Sequence, residues 1–270
     1  VKFKELFGFS VGVIGASIVN YIENCVNSLV VGKHYSVADL GYMDKANIMP
    51  EQISLNSFGA MTNVLLPTVS SYQSDIDKLR RIVQKVVRYT AYVMFPVMLG
   101  MFVVSKEVVV VLFTEKWLPS VPLMQSICIY YIATPLMLID VQVFFGLGYS
   151  KTRLKTEIYR MFFILVGVVL CCFILKADIK YLLMTNAVAA SLGTLVTHFE
   201  VKKLIGYTLL DRIKDTYKSL ISALIMGAVV VWIKYSLIPI SIPVIFILII
   251  EVLAGGISYI ILSILLKNDV

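Results

Sequence analysis

Eight apolar stretches run through this chain of 270 residues, at 6–32, 48–72, 86–113, 121–147, 158–175, 181–199, 220–235 and 239–266, and the short segments between them concentrate the charges. A bilayer-crossing helix needs about 20 mostly apolar residues, so all but the shorter stretches reach or exceed one crossing. Helices follow because backbone in hydrocarbon must satisfy its own hydrogen bonds, and the stretches are too long and too little alternating for barrel strands. The composition agrees. Apolar residues make up 59% and charged residues 15%, with a mean hydropathy of +0.88, whereas a soluble domain carries about 25% charge. The expected fold class is an all-α polytopic membrane protein with about eight transmembrane helices.

The net charge of +7 comes from 24 Lys and Arg against 17 Asp and Glu. These bases form no single patch of the kind that reads nucleic acid. Seventeen of them fall at Lys2 and Lys4, Lys78 to Arg88, Lys151 to Arg160, Lys202 to Lys218, and Lys267. The alternate segments hold six: Lys33, Lys45, Lys116, Lys176, Lys180 and Lys234; Lys106 lies inside the third stretch. Basic residues flanking spans are retained on the cytoplasmic side, so the alternation predicts eight spans with both termini in the cytoplasm. Two basic segments, 74–88 and 204–218, have apolar residues at helical spacing and are expected as interfacial amphipathic helices, the second with Asp211 as N-cap. Cys25, Cys128, Cys171 and Cys172 lie inside apolar runs with no CxxC pair, and read as small hydrophobes rather than a disulfide framework.

The informative residues are polar groups inside spans. Asn20, Glu23, Asn24 and Asn27 fall within an arc of about 100° on a helix, and Gln52, Asn56, Gly59 and Asn63 within an arc of about 60°. Such stripes cannot face lipid, and an intramembrane carboxylate is costly to strand. The expectation is that Asn20, Glu23, Asn24, Asn27, Gln52, Asn56 and Asn63 line one aqueous groove between the first two helices. Interhelical hydrogen bonding is the alternative for the asparagines taken singly, and the better reading for Asn186, Ser191 and Thr194. Asp140 is either functional or a headgroup-level anchor. Glu251 either meets a cation from another helix or is protonated, and the sequence leaves the two open. Interior Pro96 and Pro135 each remove a backbone hydrogen bond and are expected to kink their helices.

Enzyme signatures are absent. His34 and His198 stand far apart, and the sequence contains no HExxH, GxSxG or P-loop pattern. The run Gly146-Leu-Gly-Tyr-Ser150 lacks the Lys-Ser/Thr of a P-loop and reads as a helix terminus.

Several segments taken in order resemble the polysaccharide-transporter proteins, the Wzx-type lipopolysaccharide and O-antigen flippases of the multidrug/oligosaccharidyl-lipid/polysaccharide exporter superfamily. They are the 32–46 segment, Gly32-Lys-His-Tyr through Leu40-Gly-Tyr to Ala46, which resembles the connection after that family's seventh helix; Leu66-Pro-Thr-Val-Ser70; Phe95-Pro-Val-Met-Leu-Gly100; Leu112-Phe-Thr-Glu-Lys-Trp-Leu-Pro119; and Gly146-Leu-Gly-Tyr-Ser-Lys151. One departure is Thr114, where the family usually has glycine, which matters if the turn needs φ > 0. The resemblance implies a second six-helix lobe at residues 1–206, followed by an interfacial helix and a terminal helix pair at 207–270, with the first lobe lacking.

By the same resemblance the function is flipping of polyprenyl-diphosphate-linked oligosaccharide for lipopolysaccharide, O-antigen or exopolysaccharide export by alternating access. Lys33, Lys45 and Arg88 are the implied diphosphate contacts. The implied setting is a bacterial inner membrane, and the partners are the lipid-linked sugar, membrane lipid and an N-terminal lobe. No cofactor, metal, nucleic acid or catalytic residue is implied. The alternatives are a cation-coupled multidrug exporter with Glu23 as its carboxylate, and a membrane-embedded glycan-modifying enzyme.

Overall fold

A computed structural model describes residues 3–237 and 242–266, with the side chains of 3–6, 58–60, 62, 63 and 237 outside that description. Eight long helices follow one another: α1 (Phe3–His34), α2 (Val37–Ser71), α3 (Ile76–Phe113), α4 (Val121–Gly146), α5 (Ser150–Val168), α6 (Ile179–Ile205), α7 (Leu209–Leu237) and α8 (Val244–Leu265). A short 3-10 helix (Glu115–Ser120) precedes α4 and a π-helical turn (Val169–Ile174) extends α5. Among the described residues seven of these segments, all but α2, are long and apolar enough to cross a membrane. Large apolar side chains cover the outer faces, among them Ile14, Phe162, Val188, Leu253 and Ile261. In water this would be one large exposed apolar patch; in a bilayer it is the lipid-facing surface of a multi-pass membrane protein.

Helix packing follows from where side chains are small. Gly12 and Gly15 of α1 face Ser150 and Leu154 of α5, and a Cβ at Gly12 would sit 2.5 Å from Ser150 Oγ. Gly146 of α4 meets Val69 of α2, and Gly167 of α5 meets Thr185 of α6, each too close for a side chain. Small residues allow this approach where lipid supplies no hydrophobic drive. The resulting pairings are α1 on α5, α2 and α6 on α4, α5 on α6, α3 on α4, and then α7 and α8 on α3.

Several sequence expectations change at the helix ends. The connection expected across 32–46 shrinks to Tyr35 and Ser36, because Ser36 caps α2, accepting from the Asp39 amide at 3.0 Å and donating to its carboxylate at 2.7 Å. The 74–88 segment is no membrane-surface helix. Asp75 caps α3 directly, and Leu79, Val83 and Val87 are fully buried against Val69, Ile139, Val143, Phe144, Val201, Ile205 and Tyr207. The same face that would lie on lipid is used up by protein. At 204–218, α6 ends at Gly206 in the left-handed region (φ 67°) and α7 starts at Leu209. Arg80 closes that turn, its Nε donating to the Ile205 carbonyl at 2.6 Å. Thr208 is the capping residue, and Asp211 accepts from the Thr208 amide in return, so Asp211 is the reciprocal partner and not the N-cap.

Gly148 (φ 82°) turns the chain after α4, in keeping with a helix terminus at Gly146. Pro96 and Pro135 stand inside α3 and α4, which continue on both sides of them.

Thr114 ends α3 with φ 75° and ψ 167°. A β-branched residue there is strained, at a cost on the order of 1–3 kcal/mol. Thr114→Gly should therefore raise stability toward the upper part of a window of about 1–3 kcal/mol, read as an upward shift of the unfolding midpoint in detergent.

Candidate functional site

Along α5, Arg153, Glu157 and Arg160 recur at i, i+4 and i+7 on one face. All three are buried, Glu157 with 0% exposure. Arg153 and Arg160 both pair with Glu157, and Arg160 also reaches Glu23 of α1 at 3.0 Å. Two carboxylates and two guanidiniums therefore form a neutral, buried cluster across the α1–α5 seam. Asn20 donates to Glu157 at 3.2 Å and accepts from Asn24 at 3.2 Å, while Tyr130 of α4 accepts from Arg160 at 3.4 Å. Gly193 of α6 lies 3.0–3.3 Å, measured from where its Cβ would be, from the aliphatic stem of Arg160, so a larger residue there would push the guanidinium off its partners.

Beside this cluster lies a cavity of about 200 Å³, lined on its polar side by Glu23, Asn24 and Asn27 of α1, Asp44, Asn47 and Glu51 of α2, Tyr130 and Tyr131 of α4 and Asn186 of α6. It has room for several water molecules, at about 30 Å³ each. Its walls are tied together. Asn186 donates to Asn27 at 3.2 Å, Tyr131 to Asn47 at 3.4 Å, and Asn47 to Glu51 at 2.7 Å. Hydrogen-bond acceptors and carboxylates dominate, which suits hydroxyl-rich ligands and water.

The expected lining residues separate. Glu23, Asn24 and Asn27 line the cavity and Asn20 sits in the charged cluster just behind it. Gln52 and Asn56 are exposed and are not among the lining residues described; they point from another face of α2, centred roughly 125° away from that of Asp44, Asn47 and Glu51. The side chain of Asn63 lies outside the described residues. Of the three implied diphosphate contacts, Lys33 is exposed, Lys45 lies 5.3 Å over the rings of Phe113 and Trp117, and Arg88 is paired with Asp215 of α7 at 2.7 Å.

Sequence reasoning missed most of the cluster. Arg153 and Arg160 belong to the basic segment Lys151 to Arg160, and Glu157 stands just before the apolar stretch that begins at Ile158; their same-face spacing is the available signal. Asp44 falls in the 32–46 segment and Asn47 just after it, while Glu51 lies inside the second apolar stretch; α2 puts all three on one face. Asp140 is bound by protein. It is fully buried and held by Arg212 of α7 at 2.8 and 3.1 Å in a two-pronged pair. Arg153, Arg160 and Arg212 are thus internal structural cations, not topological flanking charges.

Removing one member of a buried ion pair strands its partner, at roughly 3–5 kcal/mol. Arg160→Leu leaves Glu23 with no cation and Glu157 with Arg153 alone, so it should lower stability by about that 3–5 kcal/mol. Glu23→Gln, which keeps a hydrogen-bonding group beside Arg160, should lower it less; unfolding in detergent, followed by circular dichroism, compares the two.

Residues 1–122 match the family described as Polysaccharide biosynthesis protein. An uncharacterized membrane protein in the cps region of Klebsiella pneumoniae is 32% identical over 133 residues, covering 48% of this chain and 26% of that protein. The lipopolysaccharide biosynthesis protein WzxC of Escherichia coli (strain K12) is 29% identical over 113 residues, covering 42% of this chain and 23% of that one. Each match thus spans about a quarter of the relative's length. In three dimensions the chain is similar to the lipid II flippase MurJ in its inward closed conformation, with a TM-score of 0.73 at 19% identity, over 94% of this chain and 52% of that one. The chain accordingly shares the fold of that solved flippase, and its first 122 residues, which hold four of the five ordered motifs, match the polysaccharide biosynthesis protein family.

Proposed function

We propose that this chain is the half of a flippase that carries lipid-linked oligosaccharide across a bacterial inner membrane by alternating access, working with a preceding six-helix lobe. The observation that carries the reading is a carboxylate- and amide-lined cavity with room for water inside a lobe of the exporter fold, backed by a neutral charge cluster. Amide and carboxylate side chains hydrogen-bond sugar hydroxyls, and a lipid tail can stay in the bilayer while the headgroup crosses a wet path. The name of the lipopolysaccharide biosynthesis relative and the lipid II flippase fold both support a saccharide-bearing lipid as cargo.

In this reading residues 1–206 form the second lobe, 207–270 add the terminal pair, and both termini face the cytoplasm. The exposed face of α2 with Gln52 and Asn56 turns toward the preceding lobe. Lys33 is the diphosphate contact with a free head, whereas Arg88 is occupied by Asp215. Transport needs no covalent chemistry by this chain.

Two substitutions in the full-length protein separate the roles of the two polar faces. Asn47→Leu closes the cavity wall, and Asn56→Leu blunts the outward face. Each should reduce translocation of lipid-linked sugar several-fold with membrane insertion intact, measured as surface-polysaccharide output. Undiminished output from both variants would overturn the proposal, and loss in Asn56→Leu alone would move the sugar path from the cavity to the face between lobes.

A further inference from the structure

The stripe by which α8 meets the protein is Glu251, Gly255, Tyr259 and Ser263, each four residues from the last and each buried. Most of the rest of α8 is Ile, Leu, Val and Phe, many of them exposed on the outer face. Gly255 lets the helix close in, since a Cβ there would meet Val230 of α7 at 3.2 Å. One turn below it, Tyr259 donates to the Tyr92 carbonyl of α3 at 2.8 Å. One turn above it, Glu251 is 0% exposed, and both of its carboxyl oxygens lack a hydrogen-bond partner among the described residues. The charged groups facing it are Glu107 from α3 and Lys234 from α7, with no further one from α8 itself. Lys234 is already engaged, its Nζ 2.7 Å from Glu107 and 3.3 Å from the Val103 carbonyl.

Two carboxyl groups and one ammonium cannot all be ionised here without leaving a net negative charge in a low-dielectric seam, which is far costlier than a neutral acid. With Lys234 committed to Glu107, the neutral arrangement leaves the proton on Glu251. We infer that Glu251 is a proton-binding site at the α3–α7–α8 junction, sharing Lys234 with Glu107, and that its bound proton keeps α8 seated on the rest of the protein. Loss of the proton makes Glu251 compete for Lys234, which breaks the Glu107 pair or drives the new charge, and α8 with it, toward water. Seating is therefore strongest while the proton is bound and weakens as pH rises past its release. This inference does not depend on what the protein transports.

Infrared spectroscopy of the full chain in lipid nanodiscs, titrated with pH, reads the proton directly as the carbonyl band of a neutral carboxylic acid. The wild type should show that band at neutral pH, and Glu251→Gln should lose it. Glu107→Gln frees Lys234 to pair with Glu251 and should also lose it, while Lys234→Met leaves both carboxyls without a cation and should double it. A cysteine pair placed across α7 and α8 should cross-link less as the band titrates away in the wild type, and at a constant level in Glu251→Gln. A wild type without the band, or a band unchanged in Glu251→Gln, overturns the proton site. A cross-link that ignores pH while the band titrates overturns its role in seating α8. Should Glu251→Gln fail to insert, the wild-type titration and Lys234→Met still decide the matter.

Discussion

A charge inside a bilayer-spanning bundle must find its counter-charge on a neighbouring helix, and that constraint organises this protein. Glu23 on the cavity wall and Asn20 just behind it are satisfied by Arg160 and Glu157 of α5. Because Arg153 and Arg160 bracket Glu157 on one helix face, the α5 array carries one net positive charge that Glu23 cancels. The seam is closed only when α1 and α5 stand in one register, which makes the ion pairs a device for specificity at least as much as for stability.

The same arrangement recurs at two other levels. At the end of the bundle holding the α6–α7 turn, Asp140 takes Arg212 and Asp215 takes Arg88, while buried Tyr207 donates to Asp215 at 2.9 Å; burial and that neighbouring carboxylate hold the Tyr207 phenol well above its ordinary range. At the opposite end, Glu107 takes Lys234. In each case α7 supplies one partner and α3 or α4 the other. Helix α7 is thereby riveted to α3 and α4 near one end and to α3 near the other, whereas α8 is seated by the stripe Glu251, Gly255, Tyr259 and Ser263, with a hydrogen bond from Tyr259 and a carboxyl on Glu251 that has no hydrogen-bond partner among the described residues.

The polar cavity belongs to the same design. Its hydrogen bonds run between α1 and α6 through Asn27 and Asn186, and between α2 and α4 through Asn47 and Tyr131. A shift of any of these helices must break at least one of them, so the cavity can report movement within the lobe. Small residues set how near the helices come, and polar residues set where along their length they stop.

Apolar run length alone determined that these residues form long membrane helices, because hydrocarbon leaves the backbone no other partner than itself. The ordered motifs disclosed the exporter relationship, and the Asn20–Asn27 stripe was legible because helical periodicity is written into residue number. Hydropathy was silent about Arg153, Glu157, Arg160 and Arg212, since a charge near the end of an apolar run looks the same whether it faces water or a carboxylate. It was equally silent about Asp44 and Asn47, which a cap at Ser36 draws into α2, and about Glu51 on their face. Glu251 stayed ambiguous for the same reason. Only the tertiary structure decided these cases, because whether a charge is paired depends on which helix stands opposite, and that is a property of packing between segments more than a hundred residues apart, as Asn20 and Glu157 show.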